Sequence, residues 1–230
     1  MSDLLIVATS TVTDGSMYNR HNPSDQAVIH NRKTFLKHLN IPFGSTTRVN
    51  PDTLERATIK HETHWCYYVE VDSSSPSGME NKEVIACDAL ITTQPGHALF
   101  LPVADCVGTV LFDPAKHLLM IAHLGRHSLE QNGGFKSVKF LIDTYGSKAA
   151  DILVWLTPAP GQQTFPIWAL DNRGMKEVTF EQLQAAGIKR ENITDNPADT
   201  STDNTYFSYS EFLKGNRDID GDHAIVAMMQ

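Results

Sequence analysis

The chain has no basic run, and its 19 Lys and Arg stand against 27 Asp and Glu, a formal net charge of −8. That balance argues against a nucleic-acid partner, whose phosphate backbone would select a basic surface, and for a small-molecule substrate. Cysteine is scarce: Cys66, Cys87 and Cys106 are an odd count without the even spacing of a disulfide framework, as in a protein kept in a reducing compartment. Long apolar runs are missing too. The patch at residues 4–7 has no preceding positive charge and is too short for a secretion signal or a membrane span, so the expectation is no membrane and a cytoplasmic location. The patterns G-x-G-x-x-G, G-x-x-x-x-G-K, G-x-S-x-G and C-x-x-C are all absent, which removes the usual ground for a nucleotide-cofactor dehydrogenase or a Ser-elbow hydrolase.

What is present describes a packed enzyme-sized chain. Of 230 residues, 41% are hydrophobic and 20% charged, ordinary globular values that support one large domain over residues 1–230. Residues 27–39 place Val28, Ile29, Phe35, Leu36 and Leu39 on one helical face, and Ile41-Pro42-Phe43-Gly44 stops the helix. Residues 58–71 alternate through Ile59, Thr63, Trp65, Tyr67, Val69 and Val71, as a strand with one apolar face does. From Val84 the chain turns strand-rich, with four segments between residues 84 and 123 and a hairpin turn at DPAKH. Helical spacing predicts a helix within residues 129–145, a buried strand at 151–156, a short helix at 180–186 closed by Gly187, and a last strand at 224–228. The order favours an α/β or α+β sandwich over a regular βαβ array.

Two motif-like stretches fail on spacing. His61-Glu62-Thr63-His64 has its histidines three apart instead of four and lies in a strand pattern, so a zinc-protease helix is not its context. Asp218-Ile219-Asp220-Gly221-Asp222 opens like a calcium loop, but Met229 stands where a bidentate Glu is required, so it reads as a solvated turn.

Ala104-Asp105-Cys106 ends one strand pattern and His123-Leu124-Gly125-Arg126-His127 ends a later one, so a Cys and a His from neighbouring strand ends are expected at one edge of a sheet. Thiolate and neutral imidazole suit zinc or copper, with one more protein ligand and an open position. The same pair also suits a nucleophile and its base. Equally, Cys106 reads as a small buried hydrophobe and His123 as a hydrogen-bonded structural residue. Asp105 reads as a carboxylate orienting an imidazole or as a turn residue, and Arg126 and His127 as anion contacts or surface ion-pairing groups.

With those residues in view, the stretch DALITTQPGHALFLPVADCVGTVLFDPAKHLLMIAHLGRH resembles the signature region of the laccase-domain family, also described as multicopper polyphenol oxidase-like and as purine nucleoside phosphorylases. Upstream STVTDGS and HNRKTFLKHLNI, and downstream WLTPAPG, QLQAAGI and TYFSYSEFLKGNRD, extend the resemblance over most of the chain. It implies a single-domain four-layered α/β/β/α sandwich with mixed sheets, similar in architecture to the catalytic domain of cytotoxic necrotizing factor toxins. It also implies a metal, usually zinc, held by an upstream His, by the Cys of A-D-C and by the His of A-H-x-G. Cys106 and His123 match those positions, and His64 is the best match for the third, with His61 its rival; on one alternating strand the two face opposite sides. The sequence departs from the family where Arg126-His127 replaces Trp-Arg, where Ser210-Glu211 replaces a double Arg, and where Asp199-Thr200 lies near the place of a late Cys-Thr. Those departures remove arginines suited to an anion.

The reading that follows is a zinc-dependent purine nucleoside phosphorylase taking a nucleoside and phosphate, with adenosine deamination as an added activity. Cys106, His123 and His64 would hold the metal, Cys106, His123 and Asp105 would carry the chemistry, and Arg126 or His127 would orient the anion. The rivals are a metal-free Cys–His hydrolase or transferase, a non-catalytic nucleoside-binding protein, and a copper-dependent polyphenol oxidase. A monomer or a homodimer fits either case.

Overall fold

A computed structural model describes residues 4–22, 25–51 and 67–230. The chain runs β1 (Leu5–Thr9), α1 (Gln26–His38), β2 (Thr46–Asn50), β3 (Tyr68–Glu70), β4 (Ile85–Ala86), β5 (Ala89–Thr92), β6 (Ala98–Val103), β7 (Val107–Asp113) and β8 (Leu118–Leu124). Then come α2 (Arg126–Glu130), α3 (Gly133–Tyr145), β9 (Leu153–Leu156), the ribbon β10 (Pro166–Ile167) and β11 (Arg173–Gly174), α4 (Met175–Ala185), β12 (Ile193–Asp195), α5 (Tyr209–Leu213) and β13 (His223–Met229). Of the strand expected over 58–71, Tyr68–Glu70 is present; Ile59, His61, Thr63, His64, Trp65 and Cys66 lie outside the described residues.

Two mixed sheets form the centre, one ordered β1-β13-β6-β2-β4 and the other β12-β9-β7-β8-β5-β3. Residue alternation decides which layer each side chain enters. In β6, Leu99, Leu101 and Val103 enter the core between the sheets, while Ala98 and Phe100 face α1. In β8, Leu119 and Ile121 enter the inter-sheet core, while Leu118, Met120, Ala122 and Leu124 face α3 and α4. Three apolar clusters therefore separate four layers, α/β/β/α. The architecture is the one implied by the family resemblance.

Local chemistry sets the joints. The Asp25 side chain caps α1 by accepting from the Ala27 N–H at 2.9 Å. The β7–β8 turn is the expected DPAKH hairpin, where Asp113 Oδ1 accepts from the Ala115 and Lys116 N–H groups at 3.0 and 3.1 Å. The helix expected within 129–145 is divided into α2 and α3 by Asn132, which takes a positive φ of 64°. Gln182 on α4 then joins the two pieces, accepting from the Gly134 N–H at 2.9 Å and donating to the Leu129 carbonyl at 2.8 Å. Helix α4 begins at Met175, well before the expected 180, and β2 is a strand that the apolar pattern does not announce.

Candidate functional site

Strand β6 ends at Val103 and β7 starts at Val107, so Ala104-Asp105-Cys106 is the link between the two sheets. Asp105 turns the chain with a positive φ of 78°, a conformation that Asp tolerates better than most residues. Its buried carboxylate is fully engaged: Thr200 donates its hydroxyl to Oδ1 at 2.9 Å and Ser210 its backbone N–H to Oδ2 at 2.7 Å. Asp105 thus fixes the turn from behind, and Cys106 is the neighbour presented to the cleft.

His123 lies on β8 directly opposite Gly108 of β7, and its backbone N–H donates to the Asp88 carbonyl at 2.7 Å. By alternation it shares the inter-sheet face with Ile121, while Cys106 packs against the same layer. The two side chains converge over Gly125. A Cβ there would fall 3.0 Å from Cys106 Sγ and 2.9 Å from His123 Cε1, so a side chain at 125 would fill the space that both groups face.

This pair stands at the floor of a cleft of about 630 Å³, within the range of small-molecule sites. The lining also carries charge. Arg20 Nη2 meets Asp222 Oδ1 at 2.5 Å and Arg20 Nη1 meets Asp220 Oδ1 at 3.3 Å, while the guanidinium lies 4.0 Å over the Tyr209 ring. Burial pushes the Asp222 carboxyl up to about 6, although Arg20 pulls the other way. Arg48 is 2% exposed; it donates from Nε to the Gly78 carbonyl at 3.0 Å and lies 5.4 Å from the Tyr18 ring centre. Burial pushes the Cys106 thiol up to about 12, reinforced by the charges of Asp105 and Asp222 and opposed by Arg126 and Arg20.

Of the residues expected from sequence, Cys106 and His123 line the cleft. Asp105 does not; its oxygens are turned to Thr200 and Ser210, and the Asp199-Thr200 departure from the family pattern supplies its partner. Arg126 and His127 start α2 outside the lining: the Arg126 guanidinium lies 6.0 and 5.9 Å from the Phe165 and Trp168 rings, and exposed His127 sits 3.2 Å from Glu130. His61 and His64 fall outside the described residues. The acidic turn at 218–222 is solvated only in part, since Ile219 is exposed and Asp222 is buried against Arg20. Tyr18, Arg20, Arg48, Asn50 and Tyr209 line the cleft without having been singled out from sequence, and Asp222, read from sequence as part of a solvated turn, lines it too. The one signal available for Arg48 was a cation flanked by Thr47 and Val49 in a segment too short to read as a helix.

For a metal, Cys106 and His123 offer suitable soft and borderline donors around one gap. Among the described residues, no group of three His, Cys, Asp or Glu side chains is placed to hold an ion. Nor is any helix among them long and apolar enough to cross a membrane.

Residues 15–170 match the family described as multi-copper polyphenol oxidoreductase laccase. The chain belongs to that family. Within the wider set of relatives, a purine nucleoside phosphorylase of Bacteroides thetaiotaomicron is 22% identical over 144 residues, which is 63% of this chain and 50% of that protein. The laccase-family chain described here therefore spans about half the length of that curated relative. Two solved structures share the fold: YlmD from Geobacillus stearothermophilus, with a TM-score of 0.82 at 18% identity, covering 98% of this chain and 92% of that one, and the hypothetical protein YfiH of Bacillus licheniformis, with a TM-score of 0.78 at 22% identity, covering 98% and 93%.

Proposed function

We propose that this chain is a purine nucleoside phosphorylase-type enzyme that releases the free base from adenosine or inosine, with Cys106 and His123 at the reacting end of the cleft. The observation that carries the reading is their convergence over Gly125 on the floor of a cleft large enough for a nucleoside, in a chain with a relative of that name. In phosphorolysis a phosphate oxygen bonds to C1′ of the ribose as the bond from C1′ to the purine breaks. The electron pair leaves with the base, which takes up a proton. Asp105, with both oxygens engaged, is placed to position Cys106, and the proton-carrying role passes to Asp222, whose carboxyl near 6 faces the cleft. Adenosine deamination, water replacing the amine at C6, would call on the same carboxyl. Zinc held by Cys106, His123 and His64 would supply Lewis-acid polarisation there. Arg126 and His127, beyond the lining, are assigned to the rim and not to the anion.

The metal-free Cys–His reading has less support, because a thiol raised to about 12 is far from a thiolate at neutral pH. A copper oxidase would require several metal centres, whereas Cys106 and His123 supply donors for one. The deciding experiment is chromatography of adenosine and inosine incubated with zinc-supplemented protein, with and without phosphate. Base release should require phosphate and fall by about 100-fold or more in Cys106→Ala, and zinc content measured in parallel should fall in Cys106→Ala and His64→Ala. Nucleosides left unchanged would overturn the reading in favour of a binding-only protein.

A further inference from the structure

Strand β2 brings to the cleft lining a feature that the Cys106–His123 pair does not account for. In β2, Val49 enters the inter-sheet core, so its neighbour Arg48 is on the opposite face of the sheet, the face shared with Phe100 and α1. Behind it, fully buried Arg32 of α1 donates to the Met17 and Met79 carbonyls, each at 2.7 Å, and to Asn81 Oδ1 at 3.0 Å. Arg48 in turn donates to the Gly78 carbonyl and, at 3.5 Å, to Asn50 Oδ1. All these acceptors are neutral. Among the described residues no carboxylate bonds to either guanidinium, and Arg32 Nη2 has no hydrogen-bond partner. The two buried cations repel each other, and Asp222, the carboxylate whose charge favours both, is bonded to Arg20 instead, an arrangement that costs stability unless something else completes it.

The neighbouring charges show where the completing group belongs. Arg20 is committed to Asp222 and Asp220, so it adds little free positive charge. Arg48 has five N–H donors, of which the two bonds above use two, and it lines the cleft beside Tyr18 and Asn50. A planar guanidinium with free donors, its face toward an aromatic ring, matches a tetrahedral oxyanion better than a neutral sugar or base. We infer that Arg48, backed by Arg32 and flanked by Tyr18 and Asn50, forms an anion subsite for a phosphoryl group in the cleft that the Cys106–His123 pair also lines. The phosphoryl group is either free phosphate or the 5′-phosphate of a nucleotide. Placement on the opposite face of the sheet from Cys106 and His123 favours a group carried at the far end of a ligand.

The inference uses the cleft of the proposed function and extends its ligand, and its test is a binding measurement that does not depend on turnover. Titration calorimetry of the full chain with inorganic phosphate, adenosine 5′-monophosphate and adenosine should show the monophosphate bound at least tenfold more tightly than adenosine. That preference should disappear in Arg48→Gln, return in part in Arg48→Lys, and survive in Cys106→Ala. Inorganic phosphate that binds and displaces no monophosphate would place free phosphate elsewhere and count against the subsite, whereas mutual displacement supports it. Equal affinity of wild-type protein for adenosine and its monophosphate, with no heat from phosphate, overturns the inference without any variant having to fold. Monophosphate binding intact with no base released overturns the phosphorylase reading and leaves the subsite standing.

Discussion

The β7–β8 hairpin and strand β2 both deliver groups to the same cleft, and they are built on opposite principles. The hairpin is apolar on both faces: Val107, Leu111, Met120 and Ala122 pack toward the helices, and Val110, Phe112, Leu119 and Ile121 pack between the sheets. Cys106 and His123 ride at its open end, so the core on both faces fixes their spacing. Strand β2, in contrast, buries Thr46, Thr47 and Arg48 as well as Val49. It is held by hydrogen bonds, with the Thr46 hydroxyl donating to the Pro42 carbonyl at 2.9 Å and Thr47 Oγ1 lying 3.0 Å from His97 Nε2. The Cys106–His123 end thus stands on hydrophobic burial and strand β2 on buried polar groups held by hydrogen bonds. The two regions should fail in different ways.

Truncation of the hairpin should have the larger effect. Leu111→Ala removes a fully buried side chain from the core under α3 and α4, and chemical denaturation should show a loss of about 2–5 kcal/mol. In β2 the corresponding test preserves shape and removes polarity. Thr47→Val keeps the volume but takes away the partner of buried His97, and a loss of about 1–3 kcal/mol is expected in the same assay. If the valine variant were neutral, β2 would be held by burial like the hairpin and the contrast would collapse.

The third test sits where the two regimes meet. His223 begins β13 opposite Val103, is fully buried, and has no hydrogen-bond partner for either ring nitrogen among the described residues, with the Tyr206 ring 5.3 Å away edge-on. Burial pushes it down to about 3. The native protein therefore keeps the ring neutral, while the unfolded chain takes up a proton below about 6.5, so stability is retained above that pH and lost as pH falls toward 3. His223→Phe keeps the ring contact and should raise stability by about 1 kcal/mol at pH 7.5. Its urea midpoint should also fall less between pH 7.5 and pH 5 than that of the wild type. Asp222, raised to about 6, shifts the opposite way over part of that range, but it is present in both proteins and cancels in their difference.

The same contrast explains what could be read from the sequence. Strands β6, β7, β8 and β13 and helices α1 and α3 announce themselves because their buried positions are apolar at the right period, and the approach of Cys106 to His123 follows from two adjacent strand ends. Strand β2 was silent because three of its buried residues are polar. The first half of α4 was hidden in the same way, since its buried residues are only Met175, Val178 and polar Thr179. Asp222 resembled a solvated turn because what buries it, Arg20, comes from the other end of the sequence. Asp105 was recognised as a polar group beside the site, but its bonding to Thr200 and Ser210 depends on contacts 95 and 105 residues away that no local pattern encodes. Apolar periodicity reports on the core, whereas a polar wall is specified pair by pair.

The two tethers of Asp105 also order events in time. During synthesis the β7–β8 hairpin can close as soon as its own residues are available, because its pairing is local. The turn that presents Cys106 must wait for Thr200 and Ser210, and the first sheet must wait longer still, since β13 inserts between β1 and β6. A ribosome-bound chain that has reached α4 would therefore still hold an untethered cysteine, and the cleft would be complete only once β13 has joined β1 and β6.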